Sequence, residues 1–120
     1  MSEAVTIRHD AELERAWEIW VLVRKSLGVE SFGINLVELA AGGSIPEHDE
    51  IERDQEEVFY VVAGAPTLVV DGVDHPLQAG SFARLDPKPS RTIRNDDAEP
   101  AKELIVSAPR ASGYEPMGWA

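Results

Sequence analysis

Few residues in this chain can do chemistry, and they are concentrated. There is no cysteine, which removes thiolate metal sites, disulfides and cysteine nucleophiles. Of three histidines, His48 stands in a polar stretch, residues 46–55, beside five acidic residues. An imidazole among carboxylates offers metal ligation or proton transfer. The stretch lacks the spaced Asp/Asn ligands and central glycine of a calcium loop, and reads as a solvated rim. His75 reads as a half-exposed strand residue and His9 as surface. No serine–histidine–acid set and no phosphate-binding loop pattern occurs.

The frame holding these residues is a chain of 120 residues, 43% hydrophobic, the size of one domain with its own core. Its formal charge of −11 repels phosphate backbones and anionic membranes, so neither nucleic acid nor a membrane is an expected partner. The start, MSEAVTIRHDAELERAW, has no basic lead and no apolar core of a secretory leader. Apolar runs such as residues 19–23 are far short of the roughly 20 residues of a spanning helix. The expected location is the cytoplasm.

Hydrophobic patterning divides the chain into short elements. Residues 10–18 predict a short helix with Asp10 as its cap, Leu13, Trp17 and Trp20 falling on one side. From Trp20 the pattern alternates through Lys25 and predicts a strand ending near Gly28. Residues 31–40 predict the next strand, with Asn35, Val37 and Leu39 on one face and Phe32, Ile34 and Leu36 on the other. Further strands follow from Glu57 to Ala63, over 67–70, 73–77, 81–85 and 91–95, and over 101–107. Asp71-Gly72 marks a tight hairpin, and Pro87 and Pro89 an extended corner. About eight strands with turns every eight to twelve residues predict an antiparallel sandwich or barrel. The arm is 1–29, the barrel about 30–108 and the tail 109–120, with Tyr114 and Trp119 as anchors packing the tail down.

Residues 42–95 resemble the two signature motifs of the cupin superfamily. The first runs glycine, five residues, His-x-His, a gap, a glutamate, six residues and a glycine; here Gly42, His48, Glu57 and Gly64 hold the corresponding places. The second begins with a glycine and ends with an asparagine, matched in spacing by Gly80 and Asn95, with Asp86, Lys88 and Arg91 in the slots between. The resemblance implies an all-β fold, a double-stranded β-helix or jelly-roll barrel with a short N-terminal helix or lid segment. It also implies a metal centre of three histidines and one glutamate. This chain keeps His48 and Glu57, puts Glu50 in the second histidine's place and Arg91 in the third's. The gap between Glu50 and Glu57 is longer than the family's, which leaves Glu52, Asp54 and Gln55 as other approaches to the site.

Two readings of this altered set stay open. His48, Glu50 and Glu57 form a one-histidine, two-carboxylate set suited to iron, manganese or nickel and accepting zinc. A guanidinium about 5 Å from a divalent ion opposes it by roughly 7 kcal/mol at an effective dielectric near 20. Alternatively Arg91 pairs with Glu57 or Glu50 and replaces the cation. The chain is thus expected to bind a small organic, anionic ligand through Arg91, Glu57, Glu50 and Phe59. The alternatives are a metal-dependent dioxygenase, isomerase or cyclase acting on a small organic acid or sugar, and a structural homodimer joined through the apolar stretch around Trp17, Trp20 and Val21, which serves equally as core or as a lid.

Overall fold

The computed structural model describes residues 4–120; the first three residues of the expected arm lie outside them. Among the described residues nine strands pair antiparallel: β1 (Arg15–Ala16), β2 (Trp20–Val21), β3 (Gly33–Leu39), β4 (Gln55–Ala63), β5 (Thr67–Val70), β6 (Val73–Pro76), β7 (Phe82–Leu85), β8 (Arg91–Arg94) and β9 (Ala101–Pro109). They form a six-stranded sheet in the order β1-β2-β3-β9-β4-β7 and a three-stranded sheet in the order β6-β5-β8. The expected all-β architecture is the one observed. No helix among the described residues is long and apolar enough to cross a membrane.

Side chains alternate between the two faces of a strand, and the register therefore lays inward residues out in rows across the large sheet. One row joins Gly33, Ser107, Glu57 and Leu85; the next joins Asn35, Ile105, Phe59 and Ala83; a third joins Val37, Glu103 and Val61. Between the sheets Val37, Leu39, Ile45, Phe59, Leu68, Leu85, Ile93 and Ile105 form the apolar core. The sheets are stitched by the chain after β3. Gly42 donates to the Asn95 carbonyl, Ile45 to that of Ile93 and His48 to that of Arg91, so this segment runs as a broken extra strand along β8.

Two turns show why particular residues stand where they do. Asp71 (φ 48°) and Gly72 (φ 78°) are both left-handed, as a two-residue hairpin requires. Gly64 (φ 86°) ends β4 where a Cβ would lie 2.5 Å from the Pro100 carbonyl oxygen, so only glycine fits there.

The N-terminal expectations are corrected. Residues 10–18 are not a helix: a three-residue 3-10 turn over Asp10–Glu12 is capped by His9 rather than Asp10. The chain then enters the β1–β2 hairpin, with Trp17 (φ 49°) and Glu18 (φ 64°) left-handed. The spacing of Leu13, Trp17 and Trp20 fits a helical stripe, but Trp20 instead pairs with Val37 on β3. The strand expected from Trp20 to Lys25 stops at Val21, and α1 (Val23–Leu27) follows, closed by left-handed Gly28. A single helical turn is too short to impose a 3.6-residue period on its sequence. Tyr114 and Trp119 do not pack the tail down; they are 76% and 84% exposed. The tail is held at its root instead, by Arg110 on Asp54 at 2.6 Å.

Candidate functional site

His48 owes its place to an isolated backbone bridge with Arg91. Its Nδ1 lies 3.0 Å from the Pro46 carbonyl oxygen. A carbonyl can only accept, so Nδ1 carries the proton and, in the neutral ring, the Nε2 lone pair is left to face the site. Nε2 is 3.5 Å from Glu50 Oε1 and 3.9 Å from Glu57 Oε1. Glu50 is set by its amide, which donates to the Pro87 carbonyl, and by Gln55 Nε2, which donates to its Oε2 at 3.2 Å. Glu57 projects inward from β4. The expected trio therefore converges, its candidate ligand atoms all within 4.8 Å of one another. Glu52 is exposed and Asp54 is turned to Arg110; of the other approaches only Gln55 reaches the trio, through Glu50.

Arg91 is close by but does not share the opening. Its side chain is 0% exposed and makes four hydrogen bonds: Nη1 to Glu57 Oε1 at 2.8 Å, Nε to the Pro89 carbonyl at 3.0 Å, Nη2 to the same carbonyl at 2.9 Å, and Nη2 to the Asp86 carbonyl. The expectation that Arg91 faces a ligand is corrected, because the corner made by Pro87 and Pro89 supplies carbonyls that capture the guanidinium behind Glu57. Phe59 is corrected likewise: it lies wholly in the core, one row below Glu57. Burial, foremost, pushes the Glu57 carboxyl above its ordinary range; the hydrogen bond from Arg91 pulls it down, and the charge of Glu50 adds to the rise.

The trio lines a cavity of about 520 Å³, within the size range of small-molecule sites. Trp17 and Trp20 border it, with Ile34, Ile105 and Pro46 as apolar wall and Asn35 and Ser107 as further polar groups. Neither Arg91 nor Phe59 lines it. Asn35 and Ser107 were legible as polar residues on inward-facing strand positions, a signal the motif spacing does not carry. Other ionisable side chains lie elsewhere. Arg84 is on the outer surface, bonded to Asp86 at 2.7 Å and Glu56 at 2.9 Å, and His9 and His75 are exposed.

The trio fits a divalent ion. First-row dications hold N and O donors at about 2.0–2.2 Å, which sets neighbouring donors roughly 3–3.5 Å apart; here His48 Nε2 is 3.5 and 3.9 Å from the two carboxylates and the whole set lies within 4.8 Å. Two carboxylates and an imidazole leave the opening net negative, and the Arg91 charge is screened from it by the carboxylate it binds.

Residues 35–107 match the family model described as a cupin domain, and the chain belongs to the cupin family. Its fold resembles a cupin protein from Bacteroides fragilis (22% identity, TM-score 0.75, 94% of each chain). It likewise resembles a cupin 2 conserved barrel domain protein from Salinispora arenicola (24% identity, TM-score 0.74, covering 92% of this chain and 93% of that one). It is also similar to a sugar phosphate isomerase of the cupin superfamily from Silicibacter pomeroyi, at 27% identity and a TM-score of 0.66. That match covers 74% of this chain and 57% of the other. No curated protein sequence matches the chain.

Proposed function

We propose that this cupin binds one divalent metal ion on His48, Glu50 and Glu57 and holds a small organic molecule in the cavity beside it. The observation that carries the reading is the convergence of three ligand atoms on an opening that no side-chain cation enters among the described residues. Iron, manganese, nickel and zinc all suit this donor set. When bound, the ion supplies Lewis acidity to an oxygen of the organic molecule. The chain's own residues do the rest. Arg91 and Gln55 hold the two carboxylates in place, Pro46 fixes the imidazole, and the apolar wall excludes water. Isomerisation or oxidation of a small oxygen-bearing organic molecule fits such a site.

The test is elemental analysis of untagged protein purified without chelator, with melting scans in added divalent metals. About one equivalent of metal, lost in His48→Ala, supports the reading. No metal and no shift in melting overturns it in favour of a metal-free binder, a second reading that rests on the Arg91–Glu57 pair already neutralising Glu57. A homodimer is proposed as well: Val21 of the stretch expected to join it is buried in the core, and the exposed Phe82 (74%) and Val62 (45%) support an interface elsewhere; a monomer by light scattering would remove it.

A further inference from the structure

Gly33 points to the ligand. It opens β3, and its φ is not among the left-handed ones, so conformation does not demand it. Space does. A Cβ at Gly33 would lie 2.6 Å from Oγ of Ser107, its cross-strand partner. The missing side chain leaves the Ser107 hydroxyl room beside the cavity that both residues line. Asn35, two residues along β3, brings an amide to the same cavity.

Across the lining, the remaining surface favours a flat body. Two tryptophans border the cavity, and Trp17 keeps 84% of its surface exposed, free to cover a ring by stacked or edge contact. The lining also sets a limit on charge: among the described residues that border the cavity there is no arginine or lysine. A phosphate ester would enter a negative opening with no side-chain cation to meet it.

We infer that the cavity takes a flat, unphosphorylated ring compound bearing oxygen donors, with the ring against Trp17 and Trp20 and an oxygen read by Ser107 and Asn35. This rests on the cavity being the ligand site, as proposed above, but not on the ion.

The test uses 4-nitrocatechol, a flat chromophore with adjacent oxygens, titrated into the Trp119→Phe protein with and without Zn²⁺ while tryptophan fluorescence is followed. Saturable quenching is expected. Ser107→Ala and Gly33→Ala should each weaken binding about five- to tenfold, the scale of one hydrogen bond. The double variant should lose no more than either alone, because Gly33→Ala acts by displacing the same hydroxyl. Ser107→Cys, which keeps the volume, should follow Ser107→Ala, and fructose 6-phosphate should not displace the probe. Equal affinity in wild type and variants, or displacement by fructose 6-phosphate at comparable concentration, overturns the inference. Zn²⁺ binding with a probe indifferent to these variants leaves the metal reading standing and sinks this one. A probe that obeys them in protein that refuses Zn²⁺ does the reverse.

Discussion

His48 and Arg91 converge on a single atom. Nε2 of His48 is 3.9 Å from Glu57 Oε1, and Nη1 of Arg91 is 2.8 Å from the same oxygen. The backbones of the two residues are themselves paired, each amide donating to the other's carbonyl at 3.0 and 2.7 Å. Cross-strand partners share a face, so both side chains reach Glu57, one from the cavity and one from the protein interior.

Arg91→Ala should therefore act on stability before it acts on binding. It leaves Glu57 buried without its partner, a loss of about 3–5 kcal/mol for a broken buried pair. Arg91→Lys should recover only part of this, since an ammonium cannot reproduce the planar fork that serves two carbonyls and a carboxylate. Urea unfolding of the three proteins checks the order; an Arg91→Ala protein as stable as wild type would contradict it.

Glu103 makes stability depend on pH. Its carboxyl is 0% exposed and neither oxygen has a hydrogen-bond partner. Its cross-strand neighbours are Val37 and Val61, so no charged group faces it from either strand. Burial pushes its pKa up from 4.5 to about 7. Between those values the folded protein keeps a proton that the unfolded chain releases, so stability falls as pH rises through this window. The full loss is roughly 3 kcal/mol, reached above pH about 7. Glu103→Gln should flatten that part of the profile and melt higher than wild type at pH 8. Parallel profiles for the two proteins would count against the assignment.

At the β1–β2 turn the backbone is strained at Glu18, which is exposed with φ 64°. Glu18→Gly should raise the melting temperature slightly. Relief of the left-handed cost, about 1–2 kcal/mol, exceeds the entropy glycine adds to the unfolded chain, about 0.4–1 kcal/mol. Thermal melts decide this, and a clear drop would mean that Glu18 makes a contribution its exposure does not reveal.

Gly64 and Gly72 separate two kinds of glycine. Both are left-handed, but a Cβ at Gly72 meets nothing within 4 Å, while one at Gly64 meets the Pro100 carbonyl at 2.5 Å and the Ala101 Cα at 2.7 Å. Gly72→Ala should cost about 1 kcal/mol, the conformational term alone. Gly64→Ala should cost roughly 3 kcal/mol or more, because backbone must move. Chemical denaturation of both variants measures the difference.

The barrel was legible in the sequence wherever strands were long enough to alternate. The segment 67–70 and the turn at Asp71-Gly72 appear where patterning puts them, and Val37 and Leu39 face inward as their spacing requires. Residues 10–27 were not legible. Elements of two, three and five residues offer no period to read, and pairing with β3 decided their form. In the candidate site, the resemblance to the family motifs picked out His48, Glu50 and Glu57, whose ligand atoms lie within 4.8 Å of one another. It assigned Arg91 a place but no direction, since alternation identifies a face and not the path of a long side chain. That path depended on the carbonyls of Asp86 and Pro89, which belong to the fold and not to the motif.

The bridge between His48 and β8 has a consequence for when the trio exists at all. The imidazole hangs from a segment knitted to the small sheet, while Glu57 belongs to the large one. No hairpin or excised fragment carries the complete centre; it comes into being only when the two sheets close on each other. Anything that binds there recognises the finished barrel and not the open chain, and so draws the whole molecule toward the native state by mass action. Occupancy of the cavity then doubles as a count of fully folded copies.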